Sequence, residues 1–186
     1  MKGLIYKQII QEMKYGIKYF IMNSIVNRIP IWSIRKLLYK MSGMKIGNSH
    51  ILMGVITDGW KHIEIGNGVC INQGCHIDGR GGLSIGDNAS LSVYTKIITA
   101  SHNKDSDDFK YITEKVKIGK YVWTGIGATI LPGAILEEGC ILAAGSIAMN
   151  KKYLAYTVYG GIPAMKISQR KAPLSYDLSV WTPFFR

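Results

Sequence analysis

Four histidines and three cysteines carry most of the potential chemistry in this 186-residue chain. Histidine changes charge near neutral pH, so it is the natural general base for a hydroxyl, a poor nucleophile until its proton is taken. The four stand at 50, 62, 76 and 102, at intervals of 12, 14 and 26 residues. These intervals lack the short ligand spacing of a zinc site, and no metal is expected. His50 falls at an approximately inward position, His62 in an inserted loop and His76 at a corner, so all three read as structural. His102 is different. It closes a regular stretch of sequence and opens an irregular one, where a side chain can face a cleft. It is the candidate base. Cys70, Cys75 and Cys140 are odd in number and have no paired spacing. They form neither a disulfide framework nor a zinc knuckle, and suit a reducing compartment.

The regular stretch that ends at His102 must be what positions it. Beyond Gly43 helical spacing disappears and a period of six takes over. One column runs Ile65, Ile71, Ile77, Ile85, Leu91, Ile97, Ile118, Thr124, Ile130, Leu136, Leu142 and Ala148. Four residues after eleven of these twelve stands a small or β-branched residue, such as Val69, Cys75, Ala89, Val122, Ala128 and Cys140; the exception is Lys152. A large and a small inward position recurring every six residues predict a parallel β-helix, in which each hexad is one short strand and one corner. Three hexads close a triangular coil, and stacked coils bury one another. Leu83-Ser84 reads as a two-residue insertion, and residues 103–117 as a larger excursion. Hexads from Ile46 and Leu52 are looser, with an insertion around Asp58–His62. Insertions leave a solenoid as loops, often on its binding face.

Residues 3–29 read as an amphipathic helix through Ile5, Ile9, Met13, Ile17, Phe20 and Ile21, ended by Pro30. A second helix is expected over Ser33–Met41, with Gly43 as its C-terminal cap. The division is therefore a helical extension over 1–43, the β-helix over 44–153 and a tail over 154–186. Within the tail, residues 159–170 read as a turn into a short helix, and Tyr176, Trp181, Phe184 and Phe185 as an aromatic end that packs on the fold or on a neighbour. The formal net charge is +11. Residues 1–45 hold nine bases and one acid, a local charge of +8. Such an arm can meet nucleic acid, an anionic lipid or a phosphorylated substrate, or can simply be a solvated helix face. No stretch reaches the roughly 20 apolar residues of a spanning helix, and no cleavage site follows a clean apolar core, so neither a membrane span nor a signal peptide is expected.

Several motifs carry a resemblance. The run Ile85-Gly-Asp-Asn-Ala-Ser-Leu-Ser, followed by Ile98-Thr-Ala-Ser-His102, resembles the coil that bears the active-site histidine in sugar O-acetyltransferases. So do Val116-Lys-Ile-Gly-Lys-Tyr-Val-Trp123-Thr-Gly, Ile130-Leu-Pro-Gly133 and Ala143-Ala-Gly-Ser146. Over residues 43–170 the chain is similar to the hexapeptide-repeat acyltransferases. The resemblance implies a left-handed parallel β-helix and a homotrimer with active sites at subunit interfaces. It implies acetyl-CoA as donor, a saccharide hydroxyl as acceptor, and direct transfer with His102 as base. It further implies that Asn72 and Asp78 line the acceptor, and that Trp123 lies beside the pantetheine arm. A backbone N–H near Gly125 would face the oxyanion, Ala144 would let CoA lie close, and Lys151 and Lys166 would meet its phosphates. Asn150 and Met165 stand where the family usually has basic residues.

The favoured expectation is an O-acetyltransferase of a cell-surface polysaccharide or its precursor. It would be cytoplasmic, in peripheral contact with the inner leaflet through the basic N-terminal helix, and without a nucleic-acid partner. Serine acetyltransferase and amino-sugar N-acetyltransferase are alternatives of the same class. A zinc carbonic anhydrase on the same fold and a silent scaffold are alternatives of other classes.

Overall fold

The computed structural model describes residues 2–171 and 173–180. Its body is a parallel β-helix with three faces. The first face stacks Lys45–Ile46, Ile63–Ile65, Leu83–Ile85, Val116–Ile118, Ile135–Leu136 and Lys152–Tyr153. The second stacks His50–Ile51, Cys70–Ile71, Ser90–Leu91, Trp123–Thr124, Ile141–Leu142 and Thr157–Gly160. The third stacks Ile56–Asp58, His76–Asp78, Lys96–Ile97, Thr129–Ile130 and Ile147–Ala148. The aliphatic column fills the prism: Ile71, Ile77, Leu91, Ile97, Ile130 and Leu142 are all fully buried. The small column lies at the corners, where Cys75, Ala89, Val122, Ala128 and Cys140 are equally buried. Thr124 is the polar member of the aliphatic column, and its hydroxyl is satisfied by Thr95 Oγ1 at 2.8 Å.

Coils lie close enough to dictate residue size at the corners. Gly74 has φ +72°, and a Cβ there would approach the Tyr94 ring to 2.5 Å. Tyr94 itself adopts φ +61° one coil above. Stacking, not local propensity, therefore selects glycine at position 74.

Both ends of the prism are closed. Helix α1 (Lys2–Phe20) and helix α2 (Trp32–Ser42) cover the first coil. They are joined by a π-helical turn, Ile21–Ile25, and a 3₁₀ turn, Val26–Arg28. The single helix expected over 3–29 thus stops being α-helical at Phe20. Tertiary bonds explain the change. Asn23 exchanges two hydrogen bonds with the Thr57 backbone, at 2.9 and 2.8 Å, and Asn27 Nδ2 donates to Val55 O. Helix α2 ends as expected, with Gly43 at φ +114°. Its buried Arg35 donates from Nη2 to Ile51 O at 3.0 Å and lies over Trp32. At the far end Tyr153 and Tyr159 meet edge to face at 4.9 Å.

Four boundary readings need correction. Thr157–Gly160 is still a parallel strand of the second face, so the repeat runs beyond residue 153. The short helix expected within 159–170 is instead a strand, Met165–Gln169, antiparallel to Thr157–Gly160. Its ladder with the last coil outweighs its local sequence. The inserted residues near position 83 are at the corner Gly79–Gly82, because Leu83 itself is fully buried and paired. In the first coil Ile51, not His50 or Leu52, continues the inward column, as its pairing with Ile71 shows. His50 faces out from the prism and is buried beneath α2, 5.9 Å from the Trp32 ring. Of the aromatic tail, Tyr176 meets Tyr121 edge to face at 5.0 Å, while Trp181, Phe184 and Phe185 lie outside the described residues.

Candidate active site

Each coil turns at three corners, and the candidate residues divide between two of them. The corner between the second and third faces carries an apolar cleft of about 670 Å³. Asn72, Ser92, Trp123, Gly125, Ile126, Ala143 and Ala144 line it, from four successive coils. Trp123 is 46% exposed, and its indole N–H donates to Ser92 Oγ at 3.1 Å, which holds the ring along the cleft wall. Asn72 Nδ2 donates to Leu91 O at 2.8 Å. A second cleft, with Met53 and Gln73, continues from Asn72 and Val93 toward the first coil. Gly125 admits no side chain, since a Cβ there would come within 2.4 Å of Ala144 N. Its own N–H donates to Leu142 O at 2.7 Å, so it is committed to the coil ladder and cannot receive an oxyanion. Ser92, Val93 and Ile126 are cleft residues that the motifs did not single out. Ser92 follows Leu91 as Asn72 follows Ile71, so the column offset could have found it.

His102 belongs to the next corner, between the third and first faces. The excursion expected over 103–117 is a β-hairpin: Ala100–His102 pairs antiparallel with Tyr111–Thr113, and the chain rejoins the coil at Val116. The His102 ring stacks on Phe109 at 3.8 Å and meets Tyr111 edge-on. Its Nδ1 lies 2.7 Å from Phe109 O. A carbonyl can only accept, so Nδ1 carries the proton and Nε2 presents the lone pair. Phe109 reaches this contact at φ +52°, an uncommon conformation for an aromatic residue.

Asp78 sits at this corner too, but not at its surface. It follows an inward isoleucine and faces away from the prism, as the alternation requires. The hairpin root then covers it completely. Its Oδ1 accepts from Arg80 N and Nε, both at 2.9 Å, and its Oδ2 accepts from Thr99 N at 2.9 Å. Burial alone would raise its pKa, yet hydrogen bonds from the Arg80 side chain and from the Thr99 and Arg80 amides hold it below the usual carboxylate value. Asp78 is thus not an acceptor-lining residue; it fastens the hairpin. Thr99 also accepts from Gly81 N through Oγ1 and from Glu114 N through its carbonyl. Arg80 bridges on to Asp58, and Asp58 accepts from the Tyr15 hydroxyl of α1.

The two lysines expected at the donor phosphates do not line the cleft. Lys151 Nζ donates to Ala164 O at 3.1 Å and secures the terminal turn, while Lys166 is exposed on the antiparallel strand. His62 lies in the first-coil turn and His76 in a third-face strand.

Comparison with known proteins fits this arrangement. Residues 115–147 match the family described as bacterial transferase hexapeptide (six repeats). A dTDP-4-amino-4,6-dideoxy-D-glucose acyltransferase of Escherichia coli is 31% identical over 157 residues, spanning 67% of this chain and 81% of that protein. The chain belongs to the hexapeptide-repeat transferases. A putative colanic acid biosynthesis acetyltransferase of Escherichia coli K12 is 26% identical, over 73% of this chain and 75% of that protein. Among solved structures, a maltose O-acetyltransferase from Clostridium difficile 630 superposes with a TM-score of 0.72 at 23% identity, covering 86% of this chain and 88% of that one. A hexapeptide-repeat acetyltransferase from Vibrio cholerae, complexed with acetyl coenzyme A, superposes at 0.75 and 22% identity, over 83% and 86%. This hexapeptide-repeat transferase is accordingly an acyltransferase.

Proposed function

We propose that the protein transfers an acetyl group from acetyl-CoA to a sugar hydroxyl of a cell-surface polysaccharide or its precursor, with His102 as general base. The observation that carries this reading is the bond from His102 Nδ1 to Phe109 O, which fixes the tautomer with a basic Nε2 turned outward. Nε2 takes the acceptor hydroxyl's proton as that oxygen attacks the thioester carbonyl. The carbon–sulfur bond breaks, and the imidazolium returns the proton to the departing thiolate. The thioester supplies the activated acyl group.

The cleft beside Trp123 fits the donor's pantetheine arm. It is apolar and long, and Gly125, Ala143 and Ala144 leave its floor free of large side chains. Lys151 has one ammonium donor on Ala164 O and lies outside this cleft, so any phosphate it meets would lie beyond the pantetheine arm. His102 and the Trp123 cleft occupy different corners of one prism. A homotrimer that sets one corner against a neighbour's other corner would complete each site from two subunits. The relatives named for sugar substrates support the saccharide acceptor, and the basic N-terminal segment supports a cytoplasmic enzyme in contact with the inner leaflet.

Transfer to an amino-sugar nitrogen is the second reading, favoured by the name of the 31% identical relative. A thiol-release assay with acetyl-CoA and paired hydroxyl and amino sugars separates the two. His102→Ala should lower kcat by about 10²–10⁴-fold, the usual worth of a positioned base. Unchanged turnover in that variant would remove His102 from the chemistry.

A further inference from the structure

A surface helix normally turns its apolar stripe to the core. Helix α1 does the opposite. Its inward side is aromatic and polar: Tyr15 and Tyr19 lie against Trp60 at 5.9 and 6.5 Å, and Lys18 donates to Ser42 O at 2.8 Å. Its outward side carries Ile5, Ile9, Met13, Ile17 and Phe20, which fall within an arc of about 120° at helical spacing. Each is between 51% and 61% exposed. Helix α2 repeats the pattern. Arg35 and Tyr39 are buried, while Leu37 is 59% and Met41 74% exposed. Two helices of one segment thus present apolar faces that the fold does not use.

Charge decides what can cover them. Residues 1–45 carry +8, and the rest of the chain is also net positive. A second copy of this chain would bring positive charge against positive charge, and so would a basic protein. An anionic bilayer is complementary to both the apolar faces and the flanking bases, the combination that holds amphipathic helices in a membrane interface. Among the described residues no helix is long and apolar enough to cross a membrane, so these faces would lie in its surface.

We infer that the outward faces of α1 and α2 insert into an anionic phospholipid surface, with Lys7, Lys14 and Lys40 at headgroup level. The inference deepens the membrane contact proposed above and rests on it. It makes α1 a docking element on its outer side as well as a cover for the first coil on its inner side, and it brings an acceptor carried on lipid to the enzyme.

The test is flotation of the full chain with phosphatidylcholine vesicles containing 30 mole per cent (roughly a third) phosphatidylglycerol, beside vesicles of phosphatidylcholine alone. The wild-type chain should float with the first and remain behind with the second. Ile9→Glu with Met13→Glu should abolish flotation, whereas Ile9→Leu with Met13→Leu should preserve it. Lys7→Gln with Lys14→Gln should weaken binding about 25-fold, at about fivefold for each lost charge near the surface. Sedimentation and the thermal midpoint, measured alongside, should not change. If the wild-type chain ignores anionic vesicles, membrane contact itself is wrong. If it floats but the glutamate pair floats equally well, contact stands and these faces are not its seat. If the glutamate pair changes the oligomeric state, the faces are covered by another subunit and the inference is overturned.

Discussion

The role proposed for His102 depends on a neighbour's backbone. Without the Phe109 carbonyl its two ring nitrogens would exchange the proton, and the basic lone pair would point either way. Here the hairpin tip selects Nε2. The cysteines show the converse, reactive types made inert by position. Burial pushes the Cys70 thiol up to about 11 and those of Cys75 and Cys140 up to about 12. The thiolate is the reacting form, so all three should resist a thiol reagent at pH 8 in the folded protein and label only on denaturation. A time course with and without denaturant checks this. Rapid labelling of Cys75 or Cys140 in the folded protein would show the corners opening.

The hairpin that carries His102 depends on an ion pair that it conceals. Asp58 and Asp78 occupy the same place on adjacent coils, and Arg80 neutralises both. The Asp78 carboxylate then holds Thr99, three residues before His102. Because its folded pKa lies below the unfolded value of about 3.9, the carboxylate stabilises the fold above that pH. The contribution is lost as pH falls through the folded value. Asp78→Asn should therefore lower the thermal midpoint at pH 7 and narrow the difference in midpoint between pH 7 and pH 3. It should also speed amide exchange over 99–113 more than in the coils beyond Thr129. Uniform loss of protection would make Asp78 a general stabiliser with no particular hold on the hairpin.

At the scale of the molecule, the prism separates the two groups that the proposed reaction would join. Three faces per coil place Trp123 and His102 at different corners, and rigid stacking gives one chain no means of bringing them together. Mixed oligomers test the shared site. His102→Ala and Trp123→Ala subunits should each be inactive or nearly so. When equal amounts are unfolded and refolded together, random assembly leaves about a quarter of the sites with an intact histidine from one subunit and an intact tryptophan from the next. Activity near that fraction supports a two-subunit site; no recovery would place both residues within one chain.

The amino-acid sequence alone determined the β-helix, because a period of six with alternating large and small inward residues is a covalent pattern that only stacked three-sided coils can bury. It nominated His102, Trp123 and Asn72 as candidates, and the structure places Trp123 and Asn72 along one cleft and His102 on a hairpin at another corner. It could not foresee the bonds of Asp78, Lys151 or the Gly125 amide. Each of these is engaged by a segment distant in sequence: the hairpin root over Asp78, the terminal turn over Lys151, and the next coil against Gly125. The helix expected within 159–170 failed for the same reason, because a free strand edge at the last coil captured it. Periodicity fixes which way a side chain points; only the tertiary structure decides what lies in its path.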